Sequence, residues 1–374
     1  MGRMGRIGLG GKAPLPRWAR WCTALGALLM LVSGGVLISA EALLARYEGA
    51  VGSADLFGDG QPKEPKSDIK GPLNLLLVGI DPRASNPNTP PLADSILILH
   101  VTESLDQAYL FSLPRDWIVD IPAFKTANFA GGSDRINSAM AYGSQVPGQE
   151  KPDPARGFEL LAKTVSQATG IARFDAGAII NFTGFQKIVD AMGGVTMYVD
   201  TDVRSEHREP NGRHRQLNPA GEGYIGPQAE YKKGTRHLKG WQALDYVRQR
   251  KTLPDGDYGR QRHQQQFVKA MVNQAFSRDV VTNPFKLDAV LRAAGQSVIF
   301  NGRGHTVAEY GFALRNIRAS SIVMMRLPGQ SVYDGRDYQG ERLEPVAQEF
   351  FGAIRGNTVE AFVVGHPELI NREK

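Results

Sequence analysis

Apolar runs alternate with amphipathic stretches along most of the chain, and this pattern predicts an α/β domain. The continuous apolar run at 73–81, followed by a polar turn, is typical of a buried strand. Further strands are predicted at 95–102, 108–113, 177–182, 195–199 and 321–327. Helices are predicted at 157–169, 183–192, 258–277, 284–294, 306–317 and 344–354. Strands alternating with helices favour a layered α-β-α domain, and the short 103–107 connection predicts a central mixed sheet.

Residues 21–40 form an uncharged stretch of 20 residues, which predicts one N-terminal transmembrane helix. At 1.5 Å per residue such a helix is about 30 Å long, which matches the hydrocarbon core of a bilayer. Arg17 and Arg20 precede it, so the positive-inside rule places the N terminus in the cytoplasm and the rest of the chain outside. A cleaved signal peptide is the alternative, because Ala40-Glu41-Ala42 resembles a cleavage site. Either interpretation exports the remainder, and the retained single-pass anchor in the cell membrane is preferred.

The distribution of residue types predicts five segments. A basic tail at 1–20 precedes the membrane helix at 21–40, and residues 41–72, rich in Gly, Pro, Asp and Lys, are expected to form a juxtamembrane linker. The main domain is expected at 73–328. Residues 329–374 are expected to form a C-terminal extension packed on that domain.

Charge and cysteine content exclude several classes of protein. The formal net charge is +6, but residues 1–20 hold five basic residues and no acidic one. Most of the excess positive charge therefore lies in this tail, and this distribution argues against a nucleic-acid partner. A second basic region spans 204–262, with 13 Lys and Arg against 7 Asp and Glu. The single cysteine excludes a disulfide framework and a cysteine-rich zinc site. The sequence contains neither a P-loop motif nor a G-x-S-x-G motif.

Charged residues cluster where the predicted strands begin or end. Asp81 and Arg83 follow the first strand, Asp94 precedes the second, and Arg115 and Asp116 follow the third. Because binding crevices in α/β proteins lie at strand ends, these side chains are expected around one cleft.

Three arginines farther along the chain are expected to join this cleft. Arg248 and Arg250 would point the same way in an extended segment, and Arg260 shares a helix face with Gln264. Convergent arginines favour a multiply charged anion, most naturally a pyrophosphate, and two facing carboxylates favour Mg²⁺. A surface salt-bridge patch and a lipid-headgroup patch are the alternatives at this point.

Several ordered motifs resemble those of the LytR-CpsA-Psr family. They lie within about residues 73–275, and the single predicted anchor before them also fits the family. The motifs are Asn74 to Arg83, Ala93-Asp94-Ser95, Leu113-Pro114-Arg115-Asp116, Arg135 to Gly143, Phe182-Thr183-Gly184-Phe185, Gly193-Gly194-Val195, Tyr246 to Arg250 and Asp257 to Arg260.

The resemblance implies a membrane-anchored extracytoplasmic phosphotransferase whose catalytic domain is 73–328. Such enzymes move a glycopolymer from a polyprenyl-pyrophosphate carrier to a peptidoglycan hydroxyl, forming a phosphodiester. The resemblance also implies Mg²⁺, with Mn²⁺ as the alternative ion, held by Asp81 and Asp94. The implied pyrophosphate-binding residues are Arg83, Arg115, Arg135, Arg248, Arg250, Arg260 and Gln264. The implied catalytic residues are Asp94, Arg115, Arg248, Arg250, Asp257 and Arg260.

Three features depart from the family pattern. Leu92 stands where the family often has arginine, and Arg135 stands where it often has lysine. The segment 203–230 is long and charged for its place, and it is interpreted as either a lid or an acceptor-binding loop. A polyprenyl-pyrophosphate pyrophosphatase and a non-catalytic polyprenyl-phosphate-binding protein are the alternative functions. Transcriptional regulation is disfavoured by the predicted membrane span and the lack of a helix-turn-helix pattern.

Overall fold

A computed structural model describes residues 52–58, 68–82 and 86–372. The strands, numbered in chain order, are β1 (Gly52–Ser53), β2 (Leu73–Ile80), β3 (Ala93–Val101), β4 (Ala108–Leu113), β5 (Ile118–Ile121), β6 (Gly132–Arg135), β7 (Ala176–Asn181), β8 (Val195–Val199), β9 (Val203–Arg204), β10 (Gln216–Leu217), β11 (Tyr224–Ile225), β12 (Glu230–Tyr231), β13 (Gly234–Leu238), β14 (Val298–Asn301), β15 (Ile322–Met325), β16 (Gly329–Asp334) and β17 (Asp337–Leu343). The helices are α1 (Ser138–Ser144), α2 (Pro154–Thr169), α3 (Phe182–Ala191), α4 (Gly240–Arg248), α5 (Gly256–Ala275), α6 (Arg278–Val281), α7 (Pro284–Gly295), α8 (Val307–Ala313), α9 (Pro345–Arg355) and α10 (Val359–Gly365).

A seven-stranded sheet forms the centre of the described domain, in the order β1-β14-β7-β2-β3-β4-β15. Strand β2 runs parallel to β7 and antiparallel to β3, and β3 runs antiparallel to β4. The predicted central mixed sheet is therefore confirmed. These directions bring the end of β2, the start of β3 and the end of β4 to the same edge.

Helices cover both faces of the sheet. Successive side chains of a strand point to opposite sides, so one strand contributes to the packing on each face. On β2, Leu76 and Val78 join one apolar cluster, which contains Phe158 of α2 and Phe350 of α9. The alternate residue Leu75 joins a second cluster, which contains residues of α5 and α8. Helices thus pack on each side of the sheet, as a layered fold requires.

Two parts of the prediction differ from the structure. Residues 52–58, expected in the linker, belong to the domain, since β1 pairs with β14 and Leu56 is fully buried. The strand predicted at 195–199 exists as β8 but pairs with β13 in a separate two-stranded ribbon. An apolar pattern indicates a strand and leaves its pairing partner open, and β14 is too short to produce a pattern of its own.

The C-terminal residues contribute the hairpin β16–β17 and the helices α9 and α10. Phe350 and Phe351 of α9 are fully buried, and the Phe350 ring meets that of Phe111 on β4 edge-on at 5.0 Å. This helix therefore forms part of the layer on one face of the sheet.

The predicted tail at 1–20, the predicted transmembrane helix at 21–40 and most of the predicted linker lie outside the described residues. Within the described ranges, no helix is both long enough and apolar enough to cross a membrane.

Candidate active site

The edge formed by β2, β3 and β4 brings two of the predicted carboxylates and one arginine together. Gly79 pairs with Ser95 and Ile80 with Ala93, so Asp94 is the extra residue of a β-bulge. A bulge redirects a side chain that regular pleating would send elsewhere. Nη1 of Arg115, just after β4, donates to Oδ1 of Asp94 at 2.6 Å. Burial opposes the charge of Arg115, but Asp116, Asp94 and Asp257 raise the pKa of Arg115 above its usual value.

Arg248 comes to the same edge from α4. Its Nη2 donates to Oδ2 of Asp81 at 2.8 Å, and its guanidinium lies 4.7 Å from the ring centroid of Phe182. The expectation that Arg248 and Arg250 share an extended segment is wrong, because Arg248 is the last residue of α4 and the extended backbone begins at Gln249. The side-chain amide of Gln249 bonds back to the backbone oxygen of Asp245 at 2.8 Å. The helix therefore ends at Arg248, and the Gln249 side chain caps its last turn.

Helix α5 supplies the third group of side chains. Nη2 of Arg260, which is 8% exposed, lies 2.7 Å from Oδ1 of Asp257. Gln264, one turn farther along, accepts a hydrogen bond from the Ser95 hydroxyl at 2.8 Å and so ties α5 to β3. Burial lowers the pKa of Arg260, and Asp257 opposes that effect. The nearby charges of Arg115 and Arg250 lower it further.

Several guanidinium donors of this cluster lack a partner within the described part of the protein. The Nε atoms of Arg115 and Arg260 are buried without a hydrogen-bond acceptor. The partly buried Arg250 side chain makes no hydrogen bond or ion pair to any residue in the described ranges. Buried donors are nearly always satisfied in folded proteins, so these atoms indicate a place for water or an anionic ligand.

Two predicted site residues fall elsewhere. Arg135 donates from Nε to the backbone oxygen of Gln339 at 2.7 Å and lies over the Tyr338 ring at 5.2 Å, so it holds the β16–β17 hairpin. Asp116 links it to the cluster, since this carboxylate lies 3.8 Å from Arg135 and 3.7 Å from Arg115. Arg83 lies outside the described residues.

A buried network that the sequence did not reveal fixes the orientation of α5. Asp200, just after β8, accepts from Nε of Arg262 at 2.6 Å and lies 3.0 Å from Nε2 of His263. The His263 ring, with no exposed surface, stacks on Tyr246 of α4 at 4.2 Å. Burial would raise the pKa of Asp200, but His263 and Arg262 hold it well below its usual range. This network holds α4 and α5 together, and each of these helices carries an arginine of the cluster.

The donor set for a metal ion is small. No group of three or more His, Cys, Asp or Glu side chains suited to a metal occurs in the described ranges. Asp81 and Asp94 each face a guanidinium on the same strand edge. Mg²⁺ typically takes one or two carboxylates together with substrate phosphate oxygens. The two carboxylates therefore fit an ion shared with a phosphorylated ligand, and they do not form a closed protein cage.

An α/β domain with arginines and aspartates gathered at one sheet edge is suited to binding a phosphorylated ligand. The model of the LytR_cpsA_psr family matches residues 44–350, so the chain belongs to this family and the resemblance seen in its motifs is confirmed.

Comparisons with individual proteins agree with this assignment. The chain is 29% identical over 291 residues to polyisoprenyl-teichoic acid–peptidoglycan teichoic acid transferase TagU of Oceanobacillus iheyensis, covering 75% of this chain and 76% of TagU. It is 26% identical over 349 residues to cell wall biosynthesis protein LcpA of Corynebacterium glutamicum, covering 84% of this chain and 60% of LcpA. The crystal structure of Bacillus subtilis TagU matches with a TM-score of 0.51 at 21% identity, covering 81% of this chain and 98% of that one. This last likeness shows the shared mixed α/β fold.

Proposed function

We propose that the protein is a phosphotransferase that moves a glycopolymer from a polyprenyl-pyrophosphate carrier to a hydroxyl of peptidoglycan. The observation that carries the proposal is the meeting of Arg115, Arg248 and Arg260 with Asp81 and Asp94 at one sheet edge. Family membership and the names of the relatives, a teichoic acid transferase and a cell wall biosynthesis protein, support it.

The arginines would neutralise the two phosphates of the carrier. A guanidinium has five N–H donors in a planar fork, and it binds phosphate oxygens in pairs. Arg250 and the buried Nε atoms of Arg115 and Arg260 would gain acceptors when a pyrophosphate is bound. Since phosphoryl transfer depends mainly on positioning and charge neutralisation, such a cluster would stabilise the transition state.

The reaction would exchange the phosphoanhydride bond of the carrier pyrophosphate for a phosphoester bond to the acceptor sugar. A hydroxyl oxygen of the acceptor sugar attacks the phosphorus that carries the glycopolymer, while the bond from that phosphorus to the bridging oxygen breaks. The leaving group is the polyprenyl phosphate, whose new negative charge the arginines would hold. The hydroxyl proton passes to a carboxylate, for which Asp94 and Asp257 are the candidates at this edge.

Mg²⁺, or Mn²⁺ in its place, would bind at Asp81 and Asp94 together with the substrate phosphates, and it would supply further positive charge there. The predicted helix at 21–40 would anchor the protein in the cell membrane with the catalytic domain outside. The domain would then remain close to its lipid-linked donor.

The test is incubation of the full chain with a labelled polyprenyl-pyrophosphate glycopolymer and Mg²⁺, with and without peptidoglycan. Label joined to peptidoglycan through a phosphodiester is the expected product. A pyrophosphatase would release polyprenyl phosphate at the same rate with and without peptidoglycan, and it would form no joined product when peptidoglycan is present. Binding of the lipid without any product would identify a carrier-binding protein.

A further inference from the structure

A polar cavity adjoins the arginine cluster. Its volume is about 130 Å³, and it lies between the 203–230 segment and α4. The segment contributes His207, Arg208, His214 and Tyr224 to the wall, and α4 contributes Asp245 and Arg248. Arg248 is also the residue that pairs with Asp81, so the cavity and the arginine cluster share one side chain.

The cavity wall is attached firmly to the residues that follow Arg248. The backbone N–H of Glu206 donates to the side chain of Gln249 at 2.8 Å, and Lys251 donates to the Glu206 carboxylate at 2.9 Å. Gln249 is 1% exposed, so this attachment is buried on the α4 side. The segment is therefore held in register with the arginine cluster.

Arg215 fixes the segment internally. Its Nη1 donates to the backbone oxygen of Glu206 at 2.9 Å, and its Nη2 donates to the backbone oxygens of Tyr224 and Gly226, both at 3.1 Å. One side chain thus joins the two arms that carry His207 and Tyr224. The cavity has a preformed wall, which favours a binding surface over a loose lid.

The wall offers hydrogen-bond donors and acceptors together, which suits the hydroxyl groups of a sugar. Arg208 donates from Nη1 to the backbone oxygen of Gly212 at 2.9 Å within the segment. Burial lowers the pKa of His207, and burial and Arg208 lower that of His214, so the neutral form of each ring is favoured. A neutral imidazole offers one donor and one acceptor. The 4%-exposed Asp245 adds a carboxylate that is held in place by hydrogen bonds from Tyr231 at 2.7 Å and Gln249 at 3.0 Å. The Tyr224 ring meets His207 edge-on at 5.2 Å. At about 30 Å³ per water in the liquid, the cavity has room for roughly four waters, so it suits the polar edge of one sugar and not a longer glycan.

We propose that this cavity is a saccharide subsite, which holds the first sugar of the lipid-linked donor while Arg248 contacts the adjoining phosphate. The assignment rests on the proposed function, because it takes the arginine cluster as the site of the carrier pyrophosphate. It gives the 203–230 segment a role in recognising the donor glycan.

The test compares two lipids on the full-length protein in detergent micelles. One is a polyprenyl pyrophosphate carrying a single N-acetylhexosamine, and the other is the same lipid pyrophosphate without sugar. In the double variant His207→Ala, His214→Ala, affinity for the first lipid is expected to fall roughly tenfold through the loss of two hydrogen bonds. Affinity for the second is expected to stay unchanged. His366→Ala, a substitution in the C-terminal segment, is the matched control and should change neither affinity.

The outcomes separate the subsite from the transferase function. An equal loss of affinity for both lipids in the double variant, or no loss for either, would overturn the subsite. A soluble peptidoglycan disaccharide-peptide serves as a third ligand. If the double variant loses affinity for this ligand alone, the cavity belongs to the acceptor and the donor assignment is overturned. Sugar-selective binding without any joined product in the wild-type protein would overturn the transferase and leave the subsite standing. If the double variant unfolds, the single variant His214→Ala, at an exposed position, gives the same comparison with a roughly threefold effect.

Discussion

Replacement of Arg248 by methionine should remove most of the transfer activity and little of the stability. Its guanidinium is placed to make charge-assisted hydrogen bonds to phosphate, each worth about 1.5–3 kcal/mol. Since about 1.4 kcal/mol corresponds to a factor of ten, kcat/KM is expected to fall roughly 10- to 150-fold. The Arg248 and Asp81 side chains are 34% and 35% exposed, so loss of their ion pair should lower the free energy of unfolding by about 1 kcal/mol or less.

Companion variants separate the parts of this effect. Arg248→Lys keeps the charge but loses the planar fork, so its activity should fall between those of the wild type and Arg248→Met. Phe182→Leu removes the ring 4.7 Å from the guanidinium, which should cost about 0.5–1 kcal/mol, or roughly two- to fivefold in activity. Arg292→Met, which breaks the Arg292–Asp288 ion pair of 2.7 Å outside the cluster, is the matched control.

The assay is transfer of a labelled glycan from the lipid carrier to peptidoglycan by the purified full-length protein, with thermal unfolding followed in parallel. An unchanged kcat/KM in Arg248→Met would refute the assigned role. The role would also be refuted if the loss of activity were fully explained by an equal loss of folded protein.

Three other predictions concern the metal, the pH dependence and the core. Asp94→Asn should lower transfer at least about tenfold and abolish its response to added Mg²⁺, while EDTA should inactivate the wild type; activity that is insensitive to EDTA would contradict this. Burial lowers the pKa of His100 to about 4, so the unfolded chain takes up a proton below about pH 6.5 before the folded protein does. The free energy of unfolding should therefore fall by about 1.4 kcal/mol per pH unit from pH 6.5 towards 4. Denaturant titrations at a series of pH values should show a weaker dependence of this free energy on pH in His100→Gln. Phe111→Ala should destabilise the domain by about 3–5 kcal/mol in the same titrations, since the ring is fully buried; a loss below about 1 kcal/mol would contradict its place in the core.

Local patterns were sufficient for most of the fold. The strand β4 has the bounds predicted from the apolar run at 108–113, and β2 ends within one residue of its predicted end. Such runs are visible because each fully buried strand is apolar on both faces. The ribbon of β8 with β13 was not predictable, because strand pairing depends on tertiary contacts that a local pattern does not contain.

Sequence patterns predicted that several residues of the candidate site would meet, and they did not reveal the buried residues that hold these in place. Asp81, Asp94 and Arg115 adjoin strong strand signals, and the strand directions alone bring them together. Asp200 and His263 are 63 positions apart, and neither belongs to a recognisable motif, so only the folded structure reveals their contact. The helical state of Arg248 was missed because the polar run after it masked the end of α4.

A structure of the protein with a polyprenyl-pyrophosphate analogue and Mg²⁺ would test the proposed site directly. Both phosphates are expected within about 2.7–3.2 Å of guanidinium nitrogens from Arg248, Arg250 and Arg260, with the metal against Asp81 and Asp94. A lipid head bound on another face, with these arginines still turned towards their aspartates or towards water, would contradict this expectation.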